Sequence, residues 1–151
     1  MSNCSAKFND HLTFEWVLDH QIQLAMRYRY FISIVMVTNG KGKISIRRLL
    51  GQTVRDCDLF FDLDEESAIL MPHTSQDEAY VAVNRYKEKC NDAAAPHFSI
   101  VSYPADATTA ATMLETSKRL ISKARHSGLS IVMKEKEGGK HTPFEHELGS
   151  N

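Results

Sequence analysis

A chain of 151 residues, 42% hydrophobic and 25% charged, has the composition of one globular domain with a real core, not of a disordered or fibrous protein. Its 18 basic side chains nearly balance 19 acidic ones, so no overall field draws it to a nucleic acid polymer or an anionic membrane. The longest apolar run, Phe31 to Val37 with Ser33 inside it, is far shorter than the roughly 20 residues of a membrane span. With no basic-then-apolar leader at the N-terminus, a cytoplasmic protein without membrane insertion is expected.

The expected organisation is a flexible N-terminus over 1–9, one domain over 10–133 and a flexible polar tail over 134–151, where Gly138, Gly139 and Gly149 cluster with charged residues. Three cysteines, Cys4, Cys57 and Cys90, are odd in number and lack CxxC spacing, which argues against a disulfide framework and against zinc. The closest pair among seven histidines, His141 and His146, lies in the tail and reads as solvated. No metal and no cofactor is expected.

In chain order, Phe14, Val17, Leu18, Ile22, Ala25 and Met26 recur at three- and four-residue steps, predicting a helix from about Asp10 to Arg29. Trp16 on that helix is expected to be partly buried. Phe31 to Val37, apolar at both parities and stopped by Asn39-Gly40, reads as a strand buried on both faces. Ile46, Leu49, Leu50 and Val54 return to helical spacing, for a second helix ending near Cys57. Leu59–Leu63 and Ser67–Met71 flank Asp64, Glu65 and Glu66, the pattern of a hairpin with an acidic, exposed turn. Ser75 with Glu78 three residues on is a capping box, opening a helix to Cys90 that buries Ala79, Ala82, Val83 and Tyr86. A strand over His97–Tyr103 ends at Pro104, and a fourth helix over Thr109–His126 turns Ala110, Leu114, Ser117, Leu120, Ile121 and Ala124 inward, with Gly128 as its C-cap. Leu129–Met133 makes a last, peripheral strand. The order α, β, α, β, β, α, β, α, β is a mixed α/β (α+β) sandwich with a hairpin between two crossover units.

Several of these segments also resemble one family. Ser67-Ala68-Ile69-Leu70-Met71-Pro72-His73-Thr74, with a helix after it that carries Ala79 and Asn84-Arg85, resembles the stretch behind the signature motif of GGDEF domains, the diguanylate cyclases. Phe98 to Asp106, then Leu114, then Ser122 to Gly128, is similar to the family's last strand and helix, and Arg27-Tyr28 to its entry into the first strand. The resemblance runs from about Leu12 to Met133. It implies a palm-like fold shared with nucleotide cyclases, with a central, mostly antiparallel five-stranded sheet flanked by helices.

The resemblance also shows what is altered. Diguanylate synthesis is phosphoryl transfer and needs carboxylates to hold divalent cations on the triphosphate. The family carries one at the end of the first strand, where this chain reads Val37-Thr38-Asn39-Gly40, and a neutral threonine does not replace an anionic oxygen ligand. The family's guanine-recognising loop, next along the chain, is deleted. The signature itself becomes Asp62-Leu63-Asp64-Glu65-Glu66-Ser67, without a glycine for positive φ or close backbone approach. Arg125 stands alone where the family often has a lysine. A degenerate hairpin over Asp64, Glu65, Glu66 and Ser67, no catalytic residue and no diguanylate cyclase activity are therefore expected.

Arg55-Asp56-Cys57-Asp58 resembles the family's RxxD inhibitory site for cyclic di-GMP, and Arg85 matches a second arginine of that site. A guanidinium donates two parallel bonds to guanine O6 and N7 or to a phosphate, and an aspartate accepts from guanine N1 and N2. The bland alternative is a surface ion pair of Arg55 with Asp58, worth roughly 0–1 kcal/mol. Arg47 and Arg48 either extend a basic face or are solvated. The sequence supports two functions: a catalytically inactive, GGDEF-like regulatory receptor for cyclic di-GMP in bacterial signalling, or a nucleotide-independent interaction module. Trp16 and Tyr28 on the first helix suit self-association, which makes a homodimer the partner to test.

Overall fold

Seven consecutive buried residues make β1 (Ile32–Thr38) the central strand, as a run apolar at both parities requires. The computed structural model describes residues 10–38, 46–51, 53–94 and 96–134. The flexible N-terminus expected over 1–9, the tail expected over 134–151 apart from Lys134, the Asn39-Gly40 stop, Cys4, His141 and His146 lie outside the described residues. β1 pairs antiparallel with β3 (Glu66–Pro72) on one side and with β4 (Phe98–Tyr103) on the other. β2 (Leu59–Leu63) closes one edge against β3, and β5 (Ile131–Met133) closes the other, parallel to β4. The five strands run β2-β3-β1-β4-β5, so the expected mostly antiparallel sheet is present and open-edged.

Helices cover both faces: α1 (Asp10–Tyr28), α2 (Ile46–Leu50), α3 (Gln76–Ala94) and α4 (Ala110–Ser127). Strand alternation divides the core in two. Ile32, Ile34 and Met36 of β1 pack with Phe14, Leu18, Ile22 and Ala25 of α1 and with Leu120, Ile121 and Ala124 of α4. Val35 and Val37 point the other way, onto Ile46 and Leu50 of α2 and Ala79, Val83 and Tyr86 of α3. The ends of the elements are set by local chemistry. Ser75 N–H donates to Glu78 Oε1 at 2.9 Å and Glu78 N–H to Ser75 Oγ at 3.2 Å, the reciprocal capping box. Thr109 caps α4, and Gly128 at φ 73° ends it with its N–H on the Ala124 carbonyl, a left-handed position where a side chain is strained.

Four expectations fail. Phe31 lies just before β1 and is 54% exposed, not buried within the strand. The second helix stops at Leu50, not near Cys57: Gly51 comes next, and the Thr53 and Val54 N–H groups both donate to the Leu50 carbonyl, closing a turn. Met26 and Trp16 are 59% and 71% exposed, because the sheet and α4 reach only one side of α1. Helical spacing alone does not say how wide a buried stripe is.

Buried polar groups within the sheet are satisfied. Ser33 Oγ donates to the Thr74 carbonyl at 2.9 Å and lies 2.7 Å from Ser102 Oγ, and the Ser102 N–H donates to Asp106 Oδ2. Ser117 Oγ, under α4, is the exception among the described residues: it is buried with no hydrogen-bond partner. Replacing Ser117 by alanine is expected to raise the unfolding free energy by about 1 kcal/mol. Urea denaturation reads this directly, and a loss of stability would mean that the hydroxyl has a partner.

Candidate functional site

The antiparallel register sets the last residue of β1, Thr38, opposite Glu66, the first residue of β3. Thr38 Oγ1 accepts the His97 N–H at 2.9 Å, and the Thr38 N–H donates to the His97 carbonyl at 3.0 Å, so the hydroxyl is committed to joining β1 to the start of β4. Glu66 is committed too. Arg125, from the last turn of α4, holds its Oε2 at 2.6 Å and donates a further bond to the Glu65 carbonyl at 3.3 Å. The expectation that Arg125 stands isolated is thus corrected, by a contact between residues that only folding brings together.

Between Leu63 and Glu66 the hairpin turns through two residues, Asp64 and Glu65. Asp64 adopts φ 77°, the conformation for which a glycine is the usual residue. Aspartate tolerates it when short polar side chains bond the local backbone, and here the Asp64 N–H donates to Asp62 Oδ1 at 3.1 Å. The Asp64 carboxylate points to solvent, 3.8 Å from His11 Nε2, while Ser67 is buried within β3. Thr38 is neutral, Glu66 is neutralised by a guanidinium, and no three His, Cys, Asp or Glu side chains among the described residues converge as ligands.

Arg55 and Asp58 are brought together in the turn between α2 and β2, not at a helix end. The Asp58 N–H donates to the Arg55 carbonyl at 3.0 Å, closing the turn. Arg55 Nε and Nη2 then donate to the two carboxylate oxygens of Asp58 at 3.1 and 2.9 Å, and Nη2 also donates to Thr74 Oγ1 at 2.7 Å. Side-chain exposure separates the partners: 51% for Arg55 and 1% for Asp58. Asp58 is therefore a buried orienting group and does not present its carboxylate to solvent. Its hydrogen bonds hold the Arg55 guanidinium pKa above its ordinary value. Arg85 is exposed on α3, next to Tyr86. The buried Tyr86 phenol is pushed up to about 12, first by desolvation and then by the Asp58 charge, with Arg55 and Arg85 both opposing. All three predicted residues thus act on one hydroxyl. Arg47 lies over the Phe60 ring at 5.0 Å. Sequence reasoning misses Thr74 and the role of Tyr86 here; a threonine nineteen positions from its arginine leaves no local signal.

No family model matches the sequence, and no curated protein matches it. Solved structures do. The GGDEF domain of YfiN (TpbB) from Pseudomonas aeruginosa superposes with a TM-score of 0.73 at 18% identity, covering 82% of this chain and 94% of that one. The active GGEEF domain of a diguanylate cyclase from Vibrio cholerae gives 0.67 at 12% identity, covering 78% and 92%. A microbial GGDEF domain whose interaction with cyclic di-GMP has been described gives 0.64 at 14% identity, covering 80% and 87%.

The fold is GGDEF-like.

Within this GGDEF-like fold, the β2–β3 hairpin carries Asp64, Glu65, Glu66 and Ser67. The Arg55–Asp58 turn precedes it directly. No helix among the described residues is long and apolar enough to cross a membrane.

Proposed function

We propose that this chain is a non-catalytic regulatory domain of GGDEF-like fold that works in bacterial cytoplasm as a receptor for cyclic di-GMP. The observation that carries the first half is the pair Thr38–Glu66. At the strand end where phosphoryl transfer needs cation-binding carboxylates, one position is a threonine spent on His97 and the other a glutamate spent on Arg125.

Support for the ligand comes from Arg55, whose guanidinium has more donors than its three bonds to Asp58 and Thr74 consume. In this reading Asp58 contacts no ligand; it fixes the guanidinium plane, so that little rotamer entropy is lost when a guanine edge or a phosphate arrives. Arg85 adds a second cation on the same side of the sheet. The described interaction of another GGDEF domain with cyclic di-GMP makes this dinucleotide the first ligand to try.

Two measurements test the two halves separately. Incubation with magnesium and GTP is expected to yield no cyclic di-GMP and no pyrophosphate, and accumulation of either ends the non-catalytic reading. Calorimetric titration with cyclic di-GMP is expected to release heat with micromolar or tighter affinity. A flat titration removes the receptor and leaves the nucleotide-independent interaction module, which the exposed apolar residues of α1 favour.

A further inference from the structure

A cleft of about 370 Å³ opens beside the C-terminal end of α1, at the end of the sheet where Ile32 pairs with Pro72 and Tyr103, away from Thr38 and Glu66. It is lined by the buried Ala25, the half-buried rings of Tyr30 and Tyr103, and the exposed side chains of Met26, Phe31 and Pro104. Arg29 brings the one charge to this lining. Tyr30 is held from two sides: its ring stacks on His73 with centroids 3.7 Å apart, and its hydroxyl donates to Gln21 Oε1 at 3.3 Å. A ring fixed in this way loses little freedom when a planar ligand arrives.

Arg29 closes α1 at φ 59°, a left-handed position where glycine is the usual residue. Its N–H donates to the Ala25 carbonyl at 2.7 Å and the Tyr30 N–H to the same carbonyl at 3.2 Å, bonds that a glycine would make as well. The guanidinium has no ion pair and no hydrogen bond among the described residues, and the Tyr103 hydroxyl has no hydrogen bond among them either. A strained backbone that carries an uncommitted cation into a cleft points to a ligand. We propose that this cleft binds a small planar aromatic acid, its rings against Tyr30, Phe31 and Tyr103 and its carboxylate on the Arg29 guanidinium, which can donate two parallel bonds. No carboxylate lines the cleft to compete for Arg29. Asp106, the acid next along the chain from Pro104, is buried and accepts from the Ser102 N–H and from Gln76. The volume lies toward the small end of ligand sites, with room for one or two fused rings and not for an extended peptide. The C-terminus of a helix disfavours anions, so the preference for an acid rests on Arg29 alone. The cleft shares no residue with the Arg55 site and does not depend on the nucleotide reading.

Met26 lines the cleft, whereas Met36, Met71, Met113 and Met133 are buried in the core. Magnetic resonance of the full chain, labelled at its methionine methyl groups, therefore reads occupancy at Met26 with the buried methionines as controls. Titration with naphthoate is expected to move the Met26 signal saturably, through the ring current of the bound acid, with a dissociation constant below about 1 mM. Naphthalenemethanol, its neutral analogue, is expected to bind about tenfold more weakly. Arg29→Gly suits the left-handed backbone, so the core methionine signals stay in place while affinity for naphthoate falls by about tenfold or more. Four results would overturn the proposal: a Met26 signal that naphthoate does not move, equal affinity for the acid and the alcohol, an Arg29→Gly variant that binds as the parent does, or a Met26 signal that shifts when the chain is concentrated without ligand, which would put another copy in the cleft.

Discussion

Replacing Arg55 by alanine is expected to cost about 2 kcal/mol of stability and to eliminate cyclic di-GMP binding together. The first effect originates in Asp58, whose side chain is 1% exposed and accepts both of its strong hydrogen bonds from Arg55. Stripping one partner from a fully buried ion pair costs about 3–5 kcal/mol, because a carboxylate is left desolvated and uncompensated. Here half of the Arg55 side chain is already in water, so solvent reaches the gap and the loss is smaller. The double variant Arg55→Ala, Asp58→Ala separates fold from function. It removes the stranded charge, so stability recovers relative to the single variant, but binding stays absent. Urea denaturation and calorimetry on the three proteins measure this. Parental stability in Arg55→Ala would mean that Asp58 is not held as its burial implies.

The larger stability effect belongs to Phe14→Ala, for which a loss of about 3–5 kcal/mol is expected. Phe14 is 1% exposed, and its ring centroid lies 4.9 Å from that of Phe61 on β2. It thus joins the first helix to an edge strand that has only one hydrogen-bonded neighbour. Removing the ring opens a cavity that α1 cannot close while Leu18, Ile22 and Ala25 hold it in place. Against a typical total of about 5–15 kcal/mol, that loss brings the domain close to its folding limit. Phe14→Leu, which keeps most of the volume, is expected to lose less than about 1.5 kcal/mol. Equal unfolding midpoints for the alanine variant and the parent would place the ring outside the core.

The parts of the fold legible in the sequence are those set by neighbours in the chain. The five strands, the long helices, the Ser75–Glu78 box and the Gly128 cap all come from period, capping chemistry or left-handed backbone, and each lies within a residue or a few of its expected position. The second helix is overrun because apolar spacing continues through Val54 while the backbone has already turned at Gly51. Asp64 shows the converse: the hairpin is legible, but not that a local Asp62 hydrogen bond replaces a glycine. In the site, the motif Arg55-x-x-Asp58 is visible, and so is the chance that its two members pair with each other. That Asp58 is sealed in and that Thr74 shares the guanidinium depends on how α3 and β3 pack over the turn. Arg125 reaches Glu66 across 59 residues of chain, a distance over which side-chain spacing carries no information.

The alternation of β1 leaves the two sides of the sheet in separate apolar compartments, one built with α1 and α4 and the other with α2 and α3. The ligand capture proposed for Arg55 and Arg85 falls on the α2–α3 side and the exposed Trp16 face of α1 on the other, so a ligand on one side does not sterically exclude a contact on the other. Any communication between them has to cross a single layer of backbone. By thermodynamic linkage, whatever factor a ligand on one side were to apply to a contact on the other, that contact would apply to the ligand's affinity.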